Sequence, residues 1–120
     1  MGGIAVATGA QQGIGAAICE AFGRQGARVA AACGGVAIQA DIATAAETER
    51  LPALTGAMAL ALAPHGIRVK AIAPGLTGTA QPRHGNTEAE IAELACFLAS
   101  GQSRWITGQV HRINGGLWMP

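Results

Sequence analysis

The sequence predicts an α/β fold in which a small, mainly parallel sheet is wrapped by helices on both faces. Three observations carry this. Short apolar runs alternate with helical patterns along the 120 residues, as successive βαβ units require. A glycine-rich turn, Thr8 to Gly15, joins the first apolar run to the first helical pattern. Apolar residues make up 50% of the chain and charged residues only 12%, with 18 glycines, which describes a core of small aliphatic side chains between tight turns.

Gly3 to Ala7 is an apolar run read as a buried strand. Gly13 to Gln25 has helical spacing, and Gly26 ends it, since glycine takes the left-handed cap conformation without steric penalty. Ala27 to Ala32 is the second strand, parallel to the first because a helix intervenes. Cys33-Gly34-Gly35 leads to a third strand, Val36 to Gln39, which ends at Ala40-Asp41-Ile42. A parallel crossover takes about a dozen residues, so either this strand pairs antiparallel or a helix has been lost here; the loss is the favoured reading. Thr44 to Arg50 reads as a short polar helical turn closed by Pro52, and Ala53 to Ala63 as a separate alanine- and leucine-rich helix ending at Pro64-His65-Gly66. Ile67 to Ala73 is a strand and Pro74 to Asn86 a polar loop. Thr87 with Glu90 makes a capping box that opens a helix running to Ala99, and Gln109 to Ile113 is the last strand. Residues 1–120 are expected to form one domain.

Composition removes several classes of function. The net charge is +1 with no basic run, which gives a nucleic-acid surface no electrostatic basis. The longest apolar stretch, Ala57 to Pro64, is too short to span a bilayer, and the N-terminus lacks the layout of a secretory signal, so a cytoplasmic protein without membrane contact is expected. Cys19, Cys33 and Cys96 are odd in number and contain no C-x-x-C, and they read as small core residues. His65, His84 and His111 match no metal-ligand spacing, so no metal is expected. So little charge on so small a chain points to apolar surface covered by a second subunit.

The glycine turn carries the chemistry. Gly9, Gly13 and Gly15 let the backbone turn tightly and approach a pyrophosphate, while free amides and the positive dipole end of the following helix stabilise the anion. Thr8, Gln12 and Ile14 complete this candidate site.

Four segments in order resemble the short-chain dehydrogenase/reductase family. They are the T-G-x-x-x-G-x-G turn from Thr8 to Gly15, then Ala40-Asp41-Ile42, then Leu62 through Ile67-Arg68-Val69-Lys70 to Pro74-Gly75, and finally Glu90 to Ser100 with Ile106 to Gly116. The resemblance implies a minimal Rossmann-like doubly wound parallel sheet of about five strands. It also implies NAD or NADP as cofactor, Asp41 accepting a hydrogen bond from the adenine amine, and Pro74 and Gly75 beneath the nicotinamide end. No acidic residue stands in 31–34 and Gln12 is not basic, which leaves NAD against NADP open.

The departures from the family are as informative. Family members are longer, and the material absent here falls between Arg50 and Thr55. The catalytic serine, the Tyr-x-x-x-Lys pair and the proton-relaying asparagine go with it, and the chain contains no tyrosine at all. Hydride transfer by the family route is therefore predicted to be absent. In the family's strand numbering the shortened sheet is expected in the order 3-2-1-6-7, with a homodimer formed through the last strand and the helix from Thr87 to Ala99. Lys70, where the family usually has asparagine, is read as pointing to solvent or an interface, and Trp105 and Trp118 as covering the sheet end or an interface. Two other functions compete: a small esterase with a reassembled site drawn from Ser100, Ser103, His84 and His111, which needs a hydroxyl and an imidazole within hydrogen-bond reach, and a structural deletion product that binds nothing.

Overall fold

The computed structural model describes residues 3–8, 10, 13–32, 45–75 and 87–116. Strand β1 (Ile4–Thr8) leads into helix α1 (Gly13–Arg24), which returns to β2 (Arg28–Ala32). Helix α2 (Ala45–Leu62) is followed by β3 (Ala71–Pro74), then α3 (Glu88–Ala99) and β4 (Val110–Ile113). β1 pairs with β2 and β3 with β4, both parallel, so the described strands form two βαβ units, each closed by its own helix, α1 or α3.

The predicted strand 36–39 lies outside the described residues. Among the described residues β3 makes no ladder with β1, and the two pairs stay separate sheets where one continuous sheet was expected. A shared helix layer joins them instead. α1 and α3 lie side by side and bring Phe22 against Ala95 and Cys96, with Ala5, Val29 and Ile72 from β1, β2 and β3 packed onto the same cluster. Burying an aromatic ring such as Phe22 is worth about 2–3 kcal/mol, so this one contact holds both units to a common core.

Three boundaries differ from expectation for identifiable reasons. The two helical segments predicted on either side of Pro52 are one helix with Pro52 inside it. The proline costs one backbone hydrogen bond, but the alanine and leucine around it propagate helix strongly enough to pass through. β3 begins at Ala71, four residues later than predicted, because the backbone before it is bonded outside any ladder. The Val69 amide donates to Thr107 Oγ1 at 3.0 Å, and the Gly108 amide donates to the Val69 carbonyl at 2.7 Å. The capping box stands as predicted: Thr87 Oγ1 accepts from the Glu90 amide at 3.3 Å, and the Thr87 amide donates to Glu90 Oε2 at 2.7 Å. The bonds that this carboxylate accepts from the Thr87 amide and hydroxyl hold the Glu90 carboxyl below its ordinary pKa.

Candidate nucleotide-binding site

The glycine turn leaves the C-terminal end of β1 at Thr8 and enters α1 at Gly13. That is the end of a parallel strand where ligands of open α/β sheets bind. Gly13 has φ +56°, a left-handed conformation that costs any other residue type about 1–2 kcal/mol. Ile14 and Gly15 follow in the first helical turn, where backbone amides have no intrahelical acceptor and the dipole is positive. Gly9, Gln12 and Asp41 lie outside the described residues.

Sequence reasoning missed an acidic neighbour. A Cβ placed on Gly13 would lie 3.7 Å from Glu88 Oε1 in the first turn of α3, so the N-termini of α1 and α3 meet with a carboxylate between them. That carboxylate occupies the field that would attract a phosphate. An acid in a first helical turn is an ordinary capping feature, and only the packing of α3 on α1 brings it here.

Pro74 closes β3 opposite Ile113, and the Gly75 amide donates to the Ile113 carbonyl at 2.8 Å. A Cβ on Gly75 would sit 2.7 Å from Asn114 Cβ and 2.8 Å from Asn114 Cα. Two backbones therefore cross in direct contact where the nicotinamide end was expected.

The C-terminus of α3 holds a second polar cluster. The Arg68 guanidinium donates to the carbonyls of Leu98 (3.0 Å), Ala99 (2.9 Å), Ser100 (3.3 Å) and Ser103 (3.0 Å), and to Ser103 Oγ (2.9 Å). Lys70 Nζ donates to the Leu98 carbonyl and to Ser103 Oγ, the latter at 2.7 Å. Lys70 thus turns onto a helix end whose orphan carbonyls attract cations, away from the solvent or interface expected of it. Burial and then the neighbouring Arg68 charge lower its pKa to about 8.

The predicted serines sit in this cluster. Ser103 is 1% exposed and donates its hydroxyl to the Leu98 carbonyl at 2.7 Å. Ser100 caps α3, donating to the Phe97 carbonyl and accepting from the Gln102 amide. Among the described residues neither serine is hydrogen-bonded to a histidine, and His84 lies outside them. His111 is on β4 opposite Ile72, which faces the α1–α3 core, and its Nε2 is buried with no hydrogen-bond partner. A buried, unsatisfied polar atom costs about 1–3 kcal/mol. Replacing His111 by leucine is therefore expected to raise the unfolding free energy by about 1 kcal/mol or more, read as a higher urea midpoint at unchanged slope. An unchanged or lower midpoint would show that the imidazole is satisfied in solution.

Of the free thiols described, Cys96 is in the core, where burial pushes its pKa up, and Cys19 is half-buried. Among the described residues no cluster of His, Cys, Asp or Glu could hold a metal ion, and no helix is long and apolar enough to cross a membrane. A groove of about 270 Å³ lined by Gln25, Glu93, Cys96 and Phe97 lies at the C-terminal ends of α1 and α3, remote from Gly13.

A βαβ unit with a glycine turn at the C-terminal end of its first strand is the core of a dinucleotide-binding class of protein. Comparison with known proteins narrows this. No protein-family model matches the chain. The 3-oxoacyl-acyl-carrier-protein reductase FabG of Buchnera aphidicola is 38% identical over 80 residues, covering 52% of this chain and 33% of that protein. The short-chain dehydrogenase/reductase eriH of Hericium erinaceus is 35% identical over 92 residues, covering 62% of this chain and 36% of that protein. A solved structure of a candidate oxidoreductase from Escherichia coli K-12 superposes with a TM-score of 0.55 at 37% identity, covering 62% of this chain and 34% of that one. These similarities are to part of a short-chain dehydrogenase/reductase and of other oxidoreductases, and the chain spans about a third of the length of the relatives it matches.

Proposed function

We propose that this chain binds the adenosine-pyrophosphate half of NAD or NADP at the turn from Thr8 to Gly15 and does not transfer hydride by the family mechanism. The observation that carries the binding is the turn itself, with Gly13 at φ +56° opening α1 directly beyond β1. Thr8, Gly9, Gln12, Gly13, Ile14 and Gly15 would surround the pyrophosphate, Asp41 would accept from the adenine amine, and Pro74 and Gly75 would lie under the nicotinamide. Bound dinucleotide would supply a hydride donor or acceptor. The general acid that must move with the hydride, worth about 10²–10⁴-fold in rate, is a tyrosine in this family, and the chain has none.

In this reading the chain is one domain from which the central strands have been excised between Arg50 and Thr55, its sheet completed to about five strands in the order 3-2-1-6-7, working in the cytoplasm as a homodimer. Binding is weak, because the crevice has lost a wall and Glu88 opposes the anion at Gly13.

Calorimetric titration with NAD(H), NADP(H) and AMP tests the reading. The expected result is heat from at least one nucleotide, affinity lowered about tenfold by Gly13→Ala, the equivalent of about 1.4 kcal/mol, and affinity raised by Glu88→Gln. No heat from any nucleotide with folded protein would sink the binding half. Nicotinamide oxidation or reduction by the purified protein would sink the other. Turnover of a chromogenic ester that vanishes with Ser103→Ala would move the assignment to the esterase.

A further inference from the structure

Lys70, immediately before β3, is the one lysine among the 120 residues, and it is half-buried. Its ammonium has no acceptor to itself. Nζ donates to the Leu98 carbonyl, the Ser103 carbonyl and Ser103 Oγ, and the Arg68 guanidinium donates to the same three atoms. Two cations thus crowd onto three neutral acceptors, and among the described residues neither is paired with a carboxylate. Arg68 also reaches the carbonyls of Ala99 and Ser100, which Lys70 does not. The end of α3 therefore rests on the guanidinium, and the ammonium repeats part of its bonding while adding like-charge repulsion. Converting Nζ to an amide nitrogen removes the repulsion and strands no acceptor, and the N–H that an amide keeps is enough for Ser103 Oγ, 2.7 Å away.

We propose that Lys70 is a site of covalent modification, its amine taking an acyl group from an acyl thioester while Arg68 keeps the end of α3 closed. The ammonium first gives its proton to water. The nitrogen lone pair then attacks the thioester carbonyl carbon, the C–N bond forms, the C–S bond breaks, and the thiolate leaves with the proton shed by the nitrogen. Amide, free thiol and the proton first released are the products, and no oxidant or reductant enters. The first step is the one that the site favours. Burial and Arg68 lower the Lys70 pKa to about 8, so at pH about 7.5 roughly a quarter of the amine is neutral, against about one part in a thousand for a lysine at 10.5. Two cations without a counter-charge also attract a donor whose thiol carrier bears phosphate groups. The inference is independent of nucleotide binding at the turn after β1.

Incubating the whole chain with acetyl-coenzyme A at pH about 7.5 tests it, with mass spectrometry of peptides separating Lys70 from the amino terminus. Acetylation of Lys70 is expected to run at least about tenfold faster in the folded chain than in the same chain unfolded in guanidinium chloride, since the weaker basicity of the amine gives back only part of the gain in neutral form. Its rate should rise with pH to a plateau, with a midpoint at about 8. The Lys70→Gln variant, which puts an amide where the ammonium stands, should keep the far-UV circular dichroism of wild type and lose the increase of the urea midpoint above pH about 8. Acetylation no faster in the folded chain, a rate midpoint near 10.5, or a Lys70→Gln chain that fails to fold would each overturn the proposal. The first two are read on wild type and hold whatever the variant does.

Discussion

Replacing Arg68 by alanine is expected to lower the unfolding free energy by about 3 kcal/mol, because charge-assisted hydrogen bonds are worth about 1.5–3 kcal/mol each and their loss strands buried acceptors. The guanidinium reaches the carbonyls of Leu98, Ala99, Ser100 and Ser103 together, at the C-terminal end of α3 and in the turn after it. Lys70 still serves Leu98 and Ser103 in the variant, and the Ser103 amide and hydroxyl still serve Ser100, so the stranded carbonyl is that of Ala99. Arg68→Lys should recover only part of the loss, since a point charge cannot reproduce the planar fork. The same variant tests the electrostatics. With its pKa at about 8 against 10.5 unperturbed, Lys70 releases its proton earlier in the folded chain than in the unfolded one. The unfolded state then binds more protons, so stability should rise with pH between about 8 and 10.5. Removing the Arg68 charge should move the Lys70 pKa upward and flatten that rise. Urea unfolding at neutral pH and at pH about 9 reads both effects. A loss under about 1 kcal/mol would show that solvent satisfies the helix end.

How much of this was legible beforehand depends on the range of the interaction concerned. The capping box at Thr87 and Glu90, the glycine turn into α1 and the parallel pairing of β1 with β2 are local or follow from one crossover helix, and each is written in consecutive residues. The continuity of α2 was not legible, because Pro52 is a strong local breaker and only the summed propensity of its neighbours outweighs it. Lys70 was misread because strand alternation specifies a face but not what lies on that face; the end of α3 is 28 residues further along the chain. Glu88 beside Gly13 and the serines closed into a helix cap are products of α3 docking on α1, and no spacing rule reaches across that separation. The resemblance to dehydrogenases anticipated an α/β chain with parallel strands. It did not anticipate two separate sheets, because which strand pairs join is decided by long-range packing that no local segment specifies.

Gly75→Ala is expected to be the most damaging single-atom change described here, at about 2–4 kcal/mol. Overpacking usually relaxes when the neighbour is a side chain that can change rotamer. Here the added Cβ would meet Asn114 at its Cα, 2.8 Å away, as well as at its Cβ, 2.7 Å away, so relief requires moving backbone. That backbone is pinned on both sides. The Gly75 amide donates to the Ile113 carbonyl at 2.8 Å, and Pro74 is in register with Ile113 at the end of the β3–β4 ladder. Separating the strands to admit the methyl group would break this bond and lift the end of β3 from β4. A consequence for binding follows from the proposed function, in which Pro74 and Gly75 would lie under the nicotinamide. The alanine variant should therefore show a lower urea midpoint and, under conditions where it remains folded, weaker dinucleotide binding with AMP binding preserved, since in the proposed site AMP would use the turn after β1 and Asp41 but not Gly75. Equal losses for dinucleotide and AMP would place the effect in general unfolding and remove Gly75 from the site. A midpoint within experimental error of wild type would show that the two backbones stand further apart in solution than the structure has them.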